Sequence, residues 1–145
     1  MKKLLQTTIT KKDTCLSYAL KRTGTETDIE FVDELEKEFD IIPVKETKIE
    51  IGDIVAWEKK EKKIKCATTI KESGLYVSFS QLLNSEVNTR FHIGVVEGLN
   101  CISDLTRSAN PYYIPSLRMR QLVLIVEDYQ AQCPYPDFVI RKKNE

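Results

Sequence analysis

Apolar side chains recur at helical spacing near the start of the chain. After a polar, lysine-rich beginning, the apolar positions of CLSYALKR (15–22) fit one face of a 3.6-residue period. Asp13 or Thr14 suits the start of this helix, because a short polar side chain accepts the first free backbone N–H groups. Gly24 suits its end, because glycine readily adopts the left-handed conformation. The pattern therefore predicts a helix at about 14–22.

A second amphipathic segment follows, and its polar face is acidic. Thr27 and Glu30 have the spacing of a capping box, in which two side chains bond reciprocally to backbone N–H groups at a helix start. The apolar residues that follow recur at helical spacing and predict a helix at about 28–39. These apolar positions are Ile29, Val32, Leu35 and Phe39.

The remainder of the chain alternates apolar and polar residues and is rich in β-branched side chains, which is typical of strands. KIEIGDIVAWEKK (48–60) predicts a strand with a bend or entry at Gly52-Asp53. FHIGVVEG (91–98) and CISDL (101–105) predict a hairpin with a tight turn between them. Further strands are predicted at IKCATTI (64–70), GLYVSF (74–79) and RQLVLIVEDY (120–129).

The order of these elements predicts the fold class. Because the helices come first and the strands follow without interleaving, we expect an α+β protein with N-terminal helices packed on a mainly antiparallel sheet. The chain has 145 residues and shows no repeat, low-complexity tract or composition boundary. We therefore expect a single domain spanning 1–145.

Composition and charge narrow the classes of partner. The 22 basic and 22 acidic side chains give a net charge of zero, so we predict no nucleic-acid partner. No segment is apolar for long enough to be a membrane helix or a signal peptide, so we expect a cytoplasmic protein with no membrane span. The four cysteines include no CxxC pair, which favours neither a disulfide framework nor a zinc site. We expect no cofactor and no bound metal.

Three residues suggest a nucleophilic site. Cys15 is predicted in the first turn of a helix, where unpaired N–H groups favour a thiolate and can donate to an oxyanion. His92 is the single histidine of the chain, so no other imidazole is available as a base for Cys15. Asp104 is predicted on the neighbouring strand, where its carboxylate could orient His92. The alternatives are a small buried hydrophobe, a structural histidine and an exposed carboxylate at a turn or strand end.

A glycine lies on the same face of the predicted histidine strand. Gly94 comes two residues after His92, and successive side chains of a strand point to opposite faces. A missing side chain there leaves space beside the imidazole, through which a substrate or a helix backbone can approach. A packing contact with the first helix is the alternative interpretation.

These residues lie in motifs that resemble those of the NlpC-type papain-like cysteine peptidases and amidases. DTCLSYALKRTG (13–24) is similar to the Asp-x-Cys step and the helix that carry the cysteine of that superfamily. GDIVAW (52–57) resembles its next strand entry. HIGVVEGLNCISD (92–104) resembles its histidine strand, glycine-containing turn and polar third residue. The resemblance spans roughly residues 13–105, and its motifs occur in the same order.

The resemblance implies a papain-like fold and the activity of a thiol protease or amidase. In such an enzyme Cys15 would attack a carbonyl carbon, His92 would transfer the proton and Asp104 would orient His92. The substrate would be peptide-like or acyl, with a peptide, isopeptide or cell-wall amide cleaved through an acyl-enzyme. Gln6, Asp13 and Gly94 are the candidates for the oxyanion site and substrate cleft.

A second hypothesis takes account of departures from the family pattern. Leu16-Ser17 follows the cysteine where the family usually has Ser-Gly, and no tyrosine precedes Cys15. The chain would then be a non-catalytic papain-like binding or inhibitory module that acts on a protein partner. Its predicted contact face is the acidic helix at 28–39.

Overall fold

The computed structural model describes residues 3–58, 90–106, 115–121 and 135–143. These residues form one α-helix, two short 3₁₀ helices and a six-stranded antiparallel sheet. The predicted α+β class with an antiparallel sheet is therefore confirmed. No helix in these four ranges combines the length and the apolar character needed to cross a bilayer.

The order of the strands in the sheet differs from their order along the chain. The helices are α1 (Cys15–Thr23) and the 3₁₀ helices η1 (Val32–Lys37) and η2 (Val44–Glu46). The strands are β1 (Phe39–Pro43), β2 (Ile54–Glu58), β3 (Phe91–Gly98), β4 (Cys101–Thr106), β5 (Ser116–Gln121) and β6 (Phe138–Lys142). The strand order in the sheet is β1-β6-β2-β3-β4-β5.

Helix α1 begins and ends close to the predicted residues. The Thr14 hydroxyl accepts the Ser17 N–H, and the Ser17 hydroxyl accepts the Thr14 N–H, so the two side chains form a capping box. Gly24 ends the helix with a φ of 67°, a left-handed conformation that favours glycine. The first predicted helix is therefore confirmed.

The second predicted helix is wrong as an α-helix. Only Val32–Lys37 is helical, and it is a 3₁₀ helix. Phe39, the predicted last residue of the helix, instead begins β1 and pairs with Lys142 of β6. This long-range pairing overrides the local helical pattern. All four predicted apolar positions are nevertheless buried: Ile29, Val32, Leu35 and Phe39.

The C-terminal stretch supplies a central strand that the sequence pattern did not predict. Ile140 of β6 pairs with Ile41 of β1 on one side and with Ile54 of β2 on the other. The strand was not predicted because two prolines precede it and basic residues follow it, so its apolar centre is short. The predicted hairpin of β3 and β4 is confirmed. The predicted strands at 64–70 and 74–79, and all but the first two residues of 120–129, lie outside the described residues.

The sheet has two buried faces, which we call the helix face and the opposite face. On the helix face, α1 packs against β3 and β4. The apolar residues on this side of the sheet include Ile54, Ala56, Phe91, Ile93, Val95, Leu105 and Ile140. The opposite face carries a separate apolar cluster of Val55, Trp57, Val96, Ile102 and Val139. Because strand side chains alternate, neighbouring residues of β2 and β3 belong to different faces.

A chain of hydrogen bonds fixes α1 on the helix face. The Tyr18 hydroxyl is 2.7 Å from the Ser103 hydroxyl of β4. Ser103 donates to Glu97 of β3 over 2.6 Å. Arg22, near the end of α1, donates twice to the same carboxylate, at 2.7 and 3.0 Å. Sequence pattern alone could not pair these residues, because they come from three separate elements.

We expect Glu97→Gln to weaken this attachment in a pH-dependent way. Burial raises the pKa of Glu97, but the hydrogen bonds from Arg22 and Ser103 and the positive charge of Arg22 together contribute to a pKa below the ordinary value of 4.5. The ionised carboxylate therefore stabilises the fold above about pH 4.5, and this contribution is lost as the pH falls through the lowered pKa. At pH 7 the variant should lose about 1–3 kcal/mol of unfolding free energy, measured by urea titration.

The difference between wild type and Glu97→Gln should shrink steadily below about pH 4.5. Glu46→Gln is the matched control, because Glu46 is exposed and its substitution should change stability little at any pH. Equal stability of Glu97→Gln and wild type at pH 7 would contradict the role assigned to this carboxylate.

Candidate functional site

His92 and Asp104 form a buried pair on the opposite face of the sheet. His92 Nε2 lies 2.7 Å from Asp104 Oδ2, and both side chains are fully buried, at 0% exposure. The antiparallel pairing of β3 with β4 brings the two residues together. The predicted hairpin thus places the carboxylate beside the imidazole, as the spacing of twelve residues implied.

Trp57 covers the imidazole. Its ring stacks on that of His92, with 5.6 Å between centroids and 27° between planes. A Cβ atom added at Gly94 would lie 2.9 Å from the Trp57 ring and 2.8 Å from Ile102. The space that Gly94 leaves beside His92 is therefore filled by Trp57 and Ile102. Gly94 therefore makes a packing contact and does not open a path for a substrate. The residues it packs against are Trp57 and Ile102, not the first helix.

Cys15 lies on the other side of the sheet. It occupies the first turn of α1, is only 8% exposed and packs in the apolar cluster of the helix face. Ile93 and Val95 of β3 belong to that cluster, whereas the intervening Gly94 contacts Trp57 on the opposite face. His92 shares the side of Gly94 because strand side chains alternate. The strand therefore directs the imidazole away from Cys15.

The three residues consequently do not assemble into a triad in this arrangement. A base must lie within about 2.6–3.2 Å of the group whose proton it takes, or reach it through one water. Both side chains are described, and no hydrogen bond joins Cys15 to His92. The backbone of β3 lies between the two groups. The geometry offers a buried imidazole–carboxylate pair and, separately, a buried thiol.

Asp13 is occupied by contacts that hold the start of α1. Its carboxylate is 5% exposed and accepts hydrogen bonds at 2.8 Å from the Thr10 N–H, the Ser17 hydroxyl and the Lys21 ammonium. Burial raises the pKa of Asp13, but these bonds outweigh burial and lower it. The carboxylate therefore organises the turn before the helix, and the structure does not place it in a substrate cleft.

Gln6 lies next to the far end of α1. The Leu5 N–H donates to the Arg22 carbonyl, and the Lys21 ammonium donates to the Thr8 carbonyl. These contacts place the exposed Gln6 beside the last turn, whereas Cys15 is in the first. Seven residues of helix correspond to a rise of about 10 Å. The structure thus does not bring Gln6 to the sulfur as an oxyanion donor.

The opposite face has a cavity that the sequence did not predict. A cavity of about 250 Å³ is lined by residues from three separate stretches of the chain, at 47–51, 96–99 and 135. No motif or periodicity links these stretches, so only the tertiary fold reveals the cavity. Among the described residues, no group of three or more His, Cys, Asp and Glu side chains is arranged to hold a metal ion.

Comparison with known proteins identifies no relative from which a function of this site could be inferred. No protein-family model, no curated protein and no solved structure matches the chain. The resemblance to NlpC-type enzymes therefore depends on the three sequence motifs and on how the fold arranges them.

We expect Gly94→Ala to destabilise the pair of rings. A methyl group at this position would overlap the Trp57 ring and Ile102, both of which are buried. Such overpacking should cost about 1–3 kcal/mol of unfolding free energy. It should also change the near-ultraviolet circular dichroism of Trp57, the one tryptophan of the chain.

Gly98→Ala provides the matched control on the same strand, because no atom lies within 4 Å of its added Cβ. This variant should keep the wild-type spectrum and stability. A Gly94→Ala protein that matched wild type in both measurements would show that Trp57 is not packed against this glycine.

Proposed function

We propose that the protein is a non-catalytic binding module of papain-like type that acts on a protein partner. The observation that supports this proposal most strongly is the placement of Cys15 and His92 on opposite faces of one sheet. A thiol nucleophile needs its base at hydrogen-bond distance, and this arrangement keeps the two apart. The scaffold and its surface then remain as the functional parts.

The papain-like part of the proposal is supported by the order of the elements. The helix that carries Cys15 packs against β3 and β4. Gly52 and Asp53 lead into β2, and His92 on β3 bonds to Asp104 on β4. These are the elements in which the resembling motifs lie, and they follow each other as the resemblance implies. What is missing is a shared cleft between the thiol and the imidazole.

The buried pair has a structural use in such a module. Polar side chains at 0% exposure need hydrogen-bond partners, so the bond between His92 and Asp104 favours one register of the β3–β4 hairpin. Trp57, which stacks on His92, lies on β2, so the contact joins three neighbouring strands. A conformation that broke the pair would leave buried polar groups without this bond, which stabilises the native pairing.

The competing proposal is a cysteine hydrolase that uses Cys15, His92 and Asp104. Its support is the position of Cys15 in the first turn of a helix and the hydrogen bond between the His92 ring and the Asp104 carboxylate. It requires the thiol to leave the apolar cluster of the helix face and reach the imidazole. The reactivity of the thiol in the folded protein discriminates between the two proposals.

We expect Cys15 to be protected from alkylation in the native protein. The folded wild-type chain is treated with iodoacetamide between about pH 6 and 8, and each cysteine is mapped by mass spectrometry. Because the sulfur is packed in the core, labelling of Cys15 should be at least about tenfold slower in the native protein than in guanidinium chloride. Cys101, a partly exposed thiol, serves as the internal reference.

The opposite result is equally specific. Faster labelling of Cys15 in the folded than in the unfolded protein, reduced in both His92→Asn and Asp104→Asn, would establish an activated thiol and overturn the binding-module proposal. The wild-type comparison alone decides the outcome if either variant fails to fold.

A further inference from the structure

The cavity on the opposite face has apolar walls. Ile49 and Ile51 come from the segment before β2, and Val96 comes from β3. Val96 also belongs to the apolar cluster of this face, and Ile49 packs against it. The cavity is therefore continuous with the core of the opposite face.

The end of the β3–β4 hairpin keeps the cavity open. Gly98 lines it, and an added Cβ at this position would meet no atom within 4 Å. Leu99 and Tyr135, which also line it, are 89% and 39% exposed. Large apolar side chains with this exposure extend the apolar surface beyond the cavity itself.

One lysine gives this surface a charge preference. Lys48 lines the cavity and is exposed, and its ammonium forms no ion pair or hydrogen bond within the described part of the chain. The nearby Arg141 is already engaged, because it bonds to Asp53 at 2.8 Å and to Thr47 at 2.8 Å. Among the described residues that line the cavity, Lys48 is thus the cation available to an incoming anion.

The acidic segment at 28–39 is a weaker candidate for the contact face. Glu34 pairs with Lys37 at 2.7 Å, and Glu36 pairs with Arg90 at 2.9 Å. The Arg90 N–H also donates to Asp33. These internal pairs already neutralise part of the charge that would attract a basic partner.

We propose that the Lys48 groove binds an apolar peptide segment of a partner protein that carries one carboxylate side chain. The Lys48 groove is defined by Thr47, Lys48, Ile49, Ile51, Val96, Gly98, Leu99 and Tyr135. This inference rests on the proposed binding function and names the surface and the chemistry of the partner.

Size and charge together select this occupant. The volume of about 250 Å³ is below the roughly 300–1,000 Å³ of pockets for drug-sized ligands and cofactors, so it suits one or two side chains. The exposed Leu99 and Tyr135 offer further contact to residues on either side of them. The ammonium of Lys48 complements a carboxylate at the rim, which sets specificity and association rate.

Selection of peptides on the full-length protein tests the proposal. A phage-displayed library of random 12-residue peptides is selected on the immobilised protein, and enriched sequences are synthesised with a fluorescent label. We expect sequences with two or more large apolar residues and an adjacent Asp or Glu. Their affinities are then measured by fluorescence anisotropy.

Two groove variants and one control locate the binding surface. Lys48→Glu reverses the charge, and Gly98→Leu fills the open space without displacing an atom near its Cβ. Each should weaken binding about tenfold or more. Lys45→Glu makes the same charge change on an exposed residue of η2 that does not line the groove, and affinity should stay within about twofold.

Each alternative outcome overturns the proposal in a distinguishable way. Peptides that bind both groove variants as tightly as wild type would place the binding surface elsewhere and leave the binding-module proposal standing. Enriched sequences without acidic residues, or no enrichment, would remove the proposed partner chemistry. Self-association in sedimentation velocity that Gly98→Leu abolishes would make the occupant a second copy of this chain. The binding-module proposal itself is judged separately by the alkylation of Cys15.

Discussion

The alternation of side chains along β3 is the constraint on which the site depends. Ile93 and Val95 face α1, so His92 and Gly94 must face the other way. A register shift of one residue would exchange the two sets and bring the imidazole to the helix face. It would also place Gly94 under the helix, where apolar side chains are needed, and move Ile93 and Val95 to the face that carries Trp57. Burial of the apolar set therefore fixes the direction of the imidazole.

Sequence reasoning could predict contacts that are local along the chain. The capping residues Thr14 and Gly24 bound α1, and the short turn at 99–100 makes β3 and β4 neighbours. The bond between His92 and Asp104 follows from that hairpin. The position of β6 between β1 and β2 could not be predicted, because Ile140 pairs with Ile41 and Ile54, which lie 99 and 86 residues earlier. The apolar stretch of β6 is also only FVI. The same holds for the side of the sheet that α1 covers.

Because the sequence does not show which side of the sheet α1 covers, three motifs in the order seen in a family do not establish that the chain has the chemistry of that family. A motif states which residue types follow one another, and a strand motif gives the periodicity of its side chains. It does not state which periodic set the helix will cover. That choice is made by the total apolar surface that each face buries, to which Leu105 and Ile140 contribute on the helix face. Cys15 and His92 can thus keep their spacing in sequence while their side chains diverge.

A buried histidine–aspartate pair in such a fold has a structural explanation. Truncation of one partner would leave the other buried without this hydrogen bond, at a cost of about 1–3 kcal/mol. That is a large fraction of the 5–15 kcal/mol that typically separates folded from unfolded domains. The contribution to stability is therefore sufficient to account for a buried pair between two strands, with Trp57 stacked on it. Burial favours this structural explanation, because the His92 side chain is 0% exposed, whereas an imidazole that acts on a substrate has to contact it.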